Sequence, residues 1–187
     1  YTLFCDQDDI WHPEKLAWDI SAARELEKKH GQDHPVLIYT DLEVVDSNLE
    51  TIDESFYAFQ GIRGKGEEPP FSTLLVQNHI VGCTVLMNSA LLEIAYPIPP
   101  EAYMHDWWVA LCARSSGSVQ YLPEATVRYR QHQANQVGAG GVQKLLKINT
   151  WGVTFEKMNS IFMHSSIQAV LLRDRLPEIL SNTKQSA

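Results

Sequence analysis

"VLIYTDLEVVDSN", residues 36–48, decides the fold. From Val36 to Val45 it is rich in apolar and β-branched residues, the composition of a strand covered on both faces. Asp46, Ser47 and Asn48 then supply a turn. Upstream, Leu16, Ile20, Ala23 and Leu26 recur at helical spacing, between Pro13, which suits a first helical turn, and Gly31, which suits a helix stop. Before that helix, Tyr1–Cys5 reads as another strand, closed by the acidic run Asp6, Asp8, Asp9. Strand, helix, strand is the beginning of an α/β protein.

Downstream, Thr51 to Ser72 reads as a loop, broken by glycines and prolines. "FSTLLVQN" reads as a short helix, "GCTVLMN" as a strand, and "SALLEIAY" as a helix opened by Ser89 and closed by Pro97. "HDWWVALCARSSG" predicts a helix ending at Gly117, and "SVQYLPEATVRYR" a strand. Beyond Val142 the pattern is helical for about thirty residues, with a break near Gly152. The expected architecture is a mixed sheet flanked by helices over residues 1–142, followed by a helical extension over 143–187.

A formal charge of −8 argues against nucleic-acid binding, which rests on clustered Lys and Arg. An anionic substrate would need a local positive centre such as a metal. Cys5, Cys83 and Cys112 lack the paired spacing of a zinc site or a disulfide framework, so they read as reduced thiols of a cytoplasmic protein. No apolar run is long enough to span a bilayer and no signal peptide is evident. The chain opens on Tyr1 inside a strand, which suggests that it is cut from something longer.

Three constellations bear chemistry. Asp6 and Asp8, two apart at a strand's end, can hold Mg²⁺ or Mn²⁺ on oxygen ligands; the competing reading is a polar turn that caps the next helix. An EF-hand loop is excluded, because no Gly or closing Glu falls at the required offsets. Asp106, at the start of a helix, can act as a general base, with Trp107 and Trp108 as a flat platform for a sugar ring. Against this, Asp106 can cap the helix while both indoles pack in the core. Finally, "YRQHQANQVG" offers His132 to a metal and Arg130 to a phosphate, or is simply a solvated loop.

Taken in order, "DQDDIWHPEKL", "YTDLEVVD", Asn-x-Ile-x-Gly-x-Thr at Asn78–Thr84, "HDWW" and "YRQHQANQVG" resemble bacterial family 2 glycosyltransferases, particularly rhamnosyltransferase-like members. The resemblance covers roughly residues 1 to 140, and its specificity lies in the ordered set of blocks. It implies a partial GT-A fold, without the N-terminal nucleotide-binding half, and hence a chain expected to be inactive alone. It matches Asp6 and Asp8 to the metal-binding Asp-x-Asp motif, with Asp8 as the direct metal ligand of the two, Asp106 to the inverting general base, and His132 to a position near the metal or diphosphate. Arg130 is assigned to the donor phosphates with Asp6 and Asp8. Asp9, Trp11, Asp41, Asn78, Gly82, His105, Trp107 and Trp108 are expected to contact substrate.

The implied reaction is metal-dependent transfer of a sugar such as L-rhamnose from a nucleoside diphosphate, dTDP-rhamnose for instance, to a glycan or lipid-linked acceptor in cell-surface polysaccharide synthesis. Residues 60 to 70 and 137 to 141 are candidate lids. Trp151, Phe155, Met158, Ile161 and Phe162, with Lys144, Lys147 and Lys157, form either a packing surface or a peripheral contact with the inner face of the cell membrane. Two other classes stay open: a non-catalytic carbohydrate- or partner-binding domain, and a metal-dependent phosphohydrolase using His105, Asp106, His79 and His132.

Overall fold

The computed structural model describes residues 1–62, 70–131 and 151–185, with side chains described at 1–62, 70–131 and 159–177. His132, the 137–141 lid, Lys144, Lys147 and the boundary between 142 and 143 lie outside the described residues, as does most of the 60–70 lid. So do the side chains of Trp151, Phe155, Lys157 and Met158.

The elements in order are β1 (Thr2–Leu3), β2 (Ile10–Trp11), α1 (Lys15–His30), β3 (Val36–Val45), β4 (Thr51–Asp53), α2 (Phe56–Phe59) and α3 (Phe71–Val76). A 3₁₀ turn (Gly82–Thr84) leads into β5 (Leu86–Met87), α4 (Ser89–Ala95), α5 (His105–Ser116), β6 (Ser118–Arg130) and α6 (Trp151–Gln185). The strands form one mixed sheet in the order β1-β5-β3-β6-β2, with β4 also paired to β3. Strands β3 and β6 run parallel over their whole length, and the other pairings are antiparallel. The α/β expectation holds.

Strand β3 is the centre of the molecule. Leu37 and Tyr39 face a large apolar cluster with Trp107, Trp108 and Leu111 of α5, while Val36 and Ile38 pack against Ala22 and Ala23 of α1 on the opposite face. Alternate residues thus serve alternate layers, which is why the strand is apolar without interruption. Leu42 and Val44 continue into a third cluster with Trp11, Cys83 and Val127. The β3–β6 register jumps between Thr40–Leu122 and Asp41–Ala125, leaving Pro123 and Glu124 outside the ladder. A proline, having no N–H to donate, is tolerated at such a bulge.

Several sequence expectations need correction. The 51–72 segment holds β4, α2 and the start of α3 rather than a continuous loop. "GCTVLMN" is split between the 3₁₀ turn and two residues of strand. Asn88, not Ser89, caps α4: its Oδ1 accepts the N–H groups of Leu91 (3.1 Å) and Val36 (3.0 Å), and its Nδ2 donates to the His34 carbonyl (2.9 Å). The last helix is described from Trp151, with Gly152 in its first turn, so the expected break near Gly152 borders residues outside the described ones. Helix α6 also contributes to the main core, since Leu172 is buried there with Leu171 and Leu176 against it.

Helix α1 packs Ile20, Ala23 and Leu26 inward as its apolar spacing suggests, but not Leu16. Leu16 is 44% exposed, whereas Lys15, Asp19, Ala22 and Ala23 are buried. Lys15 Nζ donates to Asp19 Oδ2 (2.8 Å) and to the Thr84 carbonyl (3.0 Å), and lies 5.7 Å from the Trp11 ring centroid. A buried ammonium needs partners of this kind. Gly117 ends α5 as expected, and it must be small, because a Cβ there would sit 2.0 Å from the Pro35 carbonyl oxygen.

Candidate active site

The 3₁₀ turn Gly82–Thr84 joins three polar centres through consecutive residues. Gly82 N–H donates to Asp106 Oδ2 (3.0 Å). Cys83 stands against Asp9, its Sγ and one carboxylate oxygen each of Asp6 and Asp9 all lying within 4.8 Å of one another. The Thr84 carbonyl receives the Lys15 ammonium, while the Thr84 hydroxyl donates to the Val81 carbonyl (2.7 Å) and stiffens the turn. Glycine at 82 is a steric requirement: an added Cβ would come within 3.3 Å of Asp106 Cβ, Asp106 Oδ2 and His105 Nε2.

Asp106 occupies the first turn of α5, where the free N–H groups favour a carboxylate. It is not the cap; Met104 holds that place. Oδ1 accepts the Trp107 N–H (2.6 Å) and Oδ2 the Gly82 N–H, so each oxygen keeps a lone pair for another proton. Burial pushes the Asp106 carboxyl above its ordinary value, opposed by the His105 charge and by the two N–H groups. His105 is exposed beside it, with Phe4 edge-on to its ring at 4.6 Å.

Within the acidic run, Asp6 and Asp9 come together with Cys83, and Asp8 lies close enough to Asp9 to act on its charge. Burial pushes the Asp9 carboxyl up, opposed first by a hydrogen bond from the Cys83 thiol and then by the Arg130 backbone N–H, with the Asp6 and Asp8 charges adding to the rise. Asp9 Oδ2 is enclosed with no hydrogen-bond partner among the described residues. Asp8 faces Arg130 through its backbone: Arg130 Nε donates to the Asp8 carbonyl (3.3 Å) and Nη1 to the Ser47 carbonyl (2.8 Å), tying the acidic loop to the β3–β4 turn.

Other expected contacts are structural. Trp107 and Trp108 are core residues, donating their indole N–H groups to the carbonyls of Leu74 and Ala95, so neither forms a platform for a sugar. Asp41 is spent on its own scaffold, accepting from Leu42 N–H (2.8 Å), Phe56 N–H (3.1 Å) and the Ser55 hydroxyl at the head of α2. Asn78 closes on Ile80, bonding both its N–H and its carbonyl, and so shapes the loop before the turn. Trp11 packs in the third cluster and stacks under Lys15. His79, half-buried, is held below its ordinary value by desolvation, and it does not join His105 and Asp106 as a ligand group among the described residues.

Sequence reading missed Cys83 and the Lys15–Asp19 pair. Cys83 falls at a variable position of Asn-x-Ile-x-Gly-x-Thr, where only the fold shows what it faces. Lys15 and Asp19 stand four apart, the spacing of a helical ion pair, and that signal was available.

A metal is implied by the resemblance, and the donor set fits one in part. Two carboxylates with an unsatisfied buried oxygen suit Mg²⁺ or Mn²⁺, while the Cys83 sulfur suits softer ions.

Among known proteins, the chain is similar to dTDP-rhamnosyl transferase RfbG of Shigella flexneri, 26% identical over 147 residues that make up 74% of this chain and 45% of that protein. The chain therefore spans about half the length of that relative. No family model and no solved structure matches. The likeness is a distant one, to a glycosyltransferase. Among the described residues, no helix is long and apolar enough to cross a membrane.

Proposed function

We propose that this chain carries the catalytic edge of an inverting glycosyltransferase, moving a sugar from a nucleoside diphosphate to an acceptor hydroxyl. One observation carries the reading: of two adjacent residues in a single turn, Gly82 bonds Asp106 and Cys83 lies beside Asp6 and Asp9. A general base and a cation-binding pair at one place are what such a displacement needs. The likeness to a dTDP-rhamnosyl transferase makes dTDP-rhamnose the first donor to try.

Asp106 takes the proton of the acceptor hydroxyl while that oxygen bonds to the anomeric carbon and the bond to the diphosphate breaks. The Gly82 and Trp107 N–H groups fix the carboxylate before substrate arrives, so little reorientation opposes the transfer. Burial raises its basicity above that of a solvated aspartate, which strengthens it as a base near neutral pH. Asp6 and Asp9 would hold Mg²⁺ or Mn²⁺, which neutralises charge on the leaving diphosphate. Exposed Ile161, Phe162 and Met163 on α6 support a peripheral membrane contact, where a lipid-linked acceptor would lie.

The test is calorimetric titration of dTDP with Mn²⁺ or with EDTA. Mn²⁺ is expected to strengthen binding, and Asp6→Asn or Asp9→Asn to abolish the gain while Asp8→Asn keeps part of it. Binding that is indifferent to both metal and substitution contradicts the reading.

A further inference from the structure

We infer that Asp6, Asp9 and Cys83 form a site for thiophilic divalent cations, Zn²⁺, Co²⁺ or Cd²⁺, in which Cys83 binds as thiolate beside the two carboxylates. The inference deepens the metal half of the proposed function and rests on it for its consequence in transfer, but the binding itself stands on three separate observations.

The first is geometric. One ligand atom from each residue lies within 4.8 Å of the others. Sulfur and oxygen bound to one tetrahedral ion are separated by about 3.6 Å, from bond lengths near 2.3 and 2.1 Å. The group therefore needs to close by no more than about 1 Å, and Asp6, being exposed, is free to swing inward. Secondly, the half-buried Asp9 carboxylate meets the Cys83 thiol side chain to side chain, and its Oδ2 is enclosed without an N–H or O–H donor among the described residues, so a cation between oxygen and sulfur takes the place of the thiol proton. Thirdly, Cys83 is 3% exposed and fixed on a short turn anchored by its neighbours to Asp106 and Lys15, so its sulfur is directed rather than mobile.

Donor type then sets the class of ion. An all-oxygen pair suits Mg²⁺ and Mn²⁺, but a directed thiol adds a soft ligand that favours Zn²⁺ and its analogues. Burial and the nearby carboxylates of Asp9 and Asp6 keep the thiol protonated in their absence. Cation binding replaces that proton, which leaves to solvent, and the positive ion offsets the same negative field. Three protein ligands leave a fourth position open, as in sites that accept water or a phosphate oxygen. On the proposed function, Zn²⁺ would compete there with the cation that serves transfer.

The experiment is optical titration of the full chain with Co²⁺, whose bonds to thiolate give a near-ultraviolet charge-transfer band that carboxylates do not. Cys5 is a necessary control, because it is exposed next to Asp6 and its Sγ donates to the Asp6 carbonyl (3.3 Å). The band is expected in the wild type, in Cys5→Ser and in Cys112→Ser, and is expected to vanish in Cys83→Ser. A band that survives in Cys83→Ser, or is lost in Cys5→Ser, overturns the assignment. Should Cys83→Ser fail to fold, Asp9→Asn keeps the thiol: Co²⁺ affinity falling by about 10-fold or more supports the site, and unchanged affinity overturns it. Mn²⁺ binding followed by electron paramagnetic resonance separates the two readings. Mn²⁺ bound with no Co²⁺–thiolate band removes the thiophilic site alone, and no binding of either ion removes both.

Discussion

Asp106 titrates in two ways that oppose each other, and this makes it testable at the level of one residue. Burial raises its carboxyl from 3.8, so the folded state favours the protonated form. The group's contribution to stability is therefore fullest below the unfolded value and is lost as pH rises through the folded one. Melting temperatures measured against pH should show wild type losing ground to Asp106→Asn from about pH 4 upward. Transfer follows the opposite course, since a base must be ionised: activity should rise with pH through the same folded value. A melting difference that stays flat with pH would mean that Asp106 does not titrate as its burial requires. Gly82→Ala probes the same contact from the other side. Its Cβ meets Asp106 and His105 at 3.3 Å, so a loss of about 1–3 kcal/mol in stability is expected, together with slower transfer. Denaturant unfolding and turnover measure the two effects separately.

At the scale of elements, the Gly82–Thr84 turn depends on α1. Lys15→Met leaves Asp19 buried without its cation and should cost about 3–5 kcal/mol, whereas Lys15→Met with Asp19→Leu should recover most of that loss. A double-mutant cycle by urea unfolding gives the coupling, and additive losses would show that the pair is not coupled. The same helix shows what the sequence could and could not reveal. Its limits were legible from Pro13 and Gly31, and so was the part of its buried face made by Ile20, Ala23 and Leu26, but the burial of Lys15 and Asp19 in place of Leu16 was not. Strand β3 was legible throughout, because both its faces are covered and every position must be apolar or satisfied. The two residues of β2 were not, since Ile10 and Trp11 pair with β6 residues more than a hundred positions away. Asp106 could be picked out as a candidate, yet the approach of Asp9 to Cys83 could not. Only the packing of the 3₁₀ turn brings the two together.

Over the whole molecule, α5 and the sheet hold the site's two halves in register, and α6 seals the apolar layer behind them. Leu172, 3% exposed in that layer, makes α6 part of the core, so Leu172→Ala should cost about 2–5 kcal/mol in denaturant unfolding; a negligible change would detach α6 from the core. On the proposed function, Asp106 would be the base, Asp6 and Asp9 the cation ligands, and the Gly82–Thr84 turn the element that both meet. The central claim is that Asp106 does the proton transfer at this turn. It is tested most directly by single-turnover sugar transfer with Asp106→Asn, with donor affinity measured alongside. Transfer is expected to slow by about 100-fold or more at undiminished donor affinity. Transfer at the wild-type rate by the folded variant would contradict it.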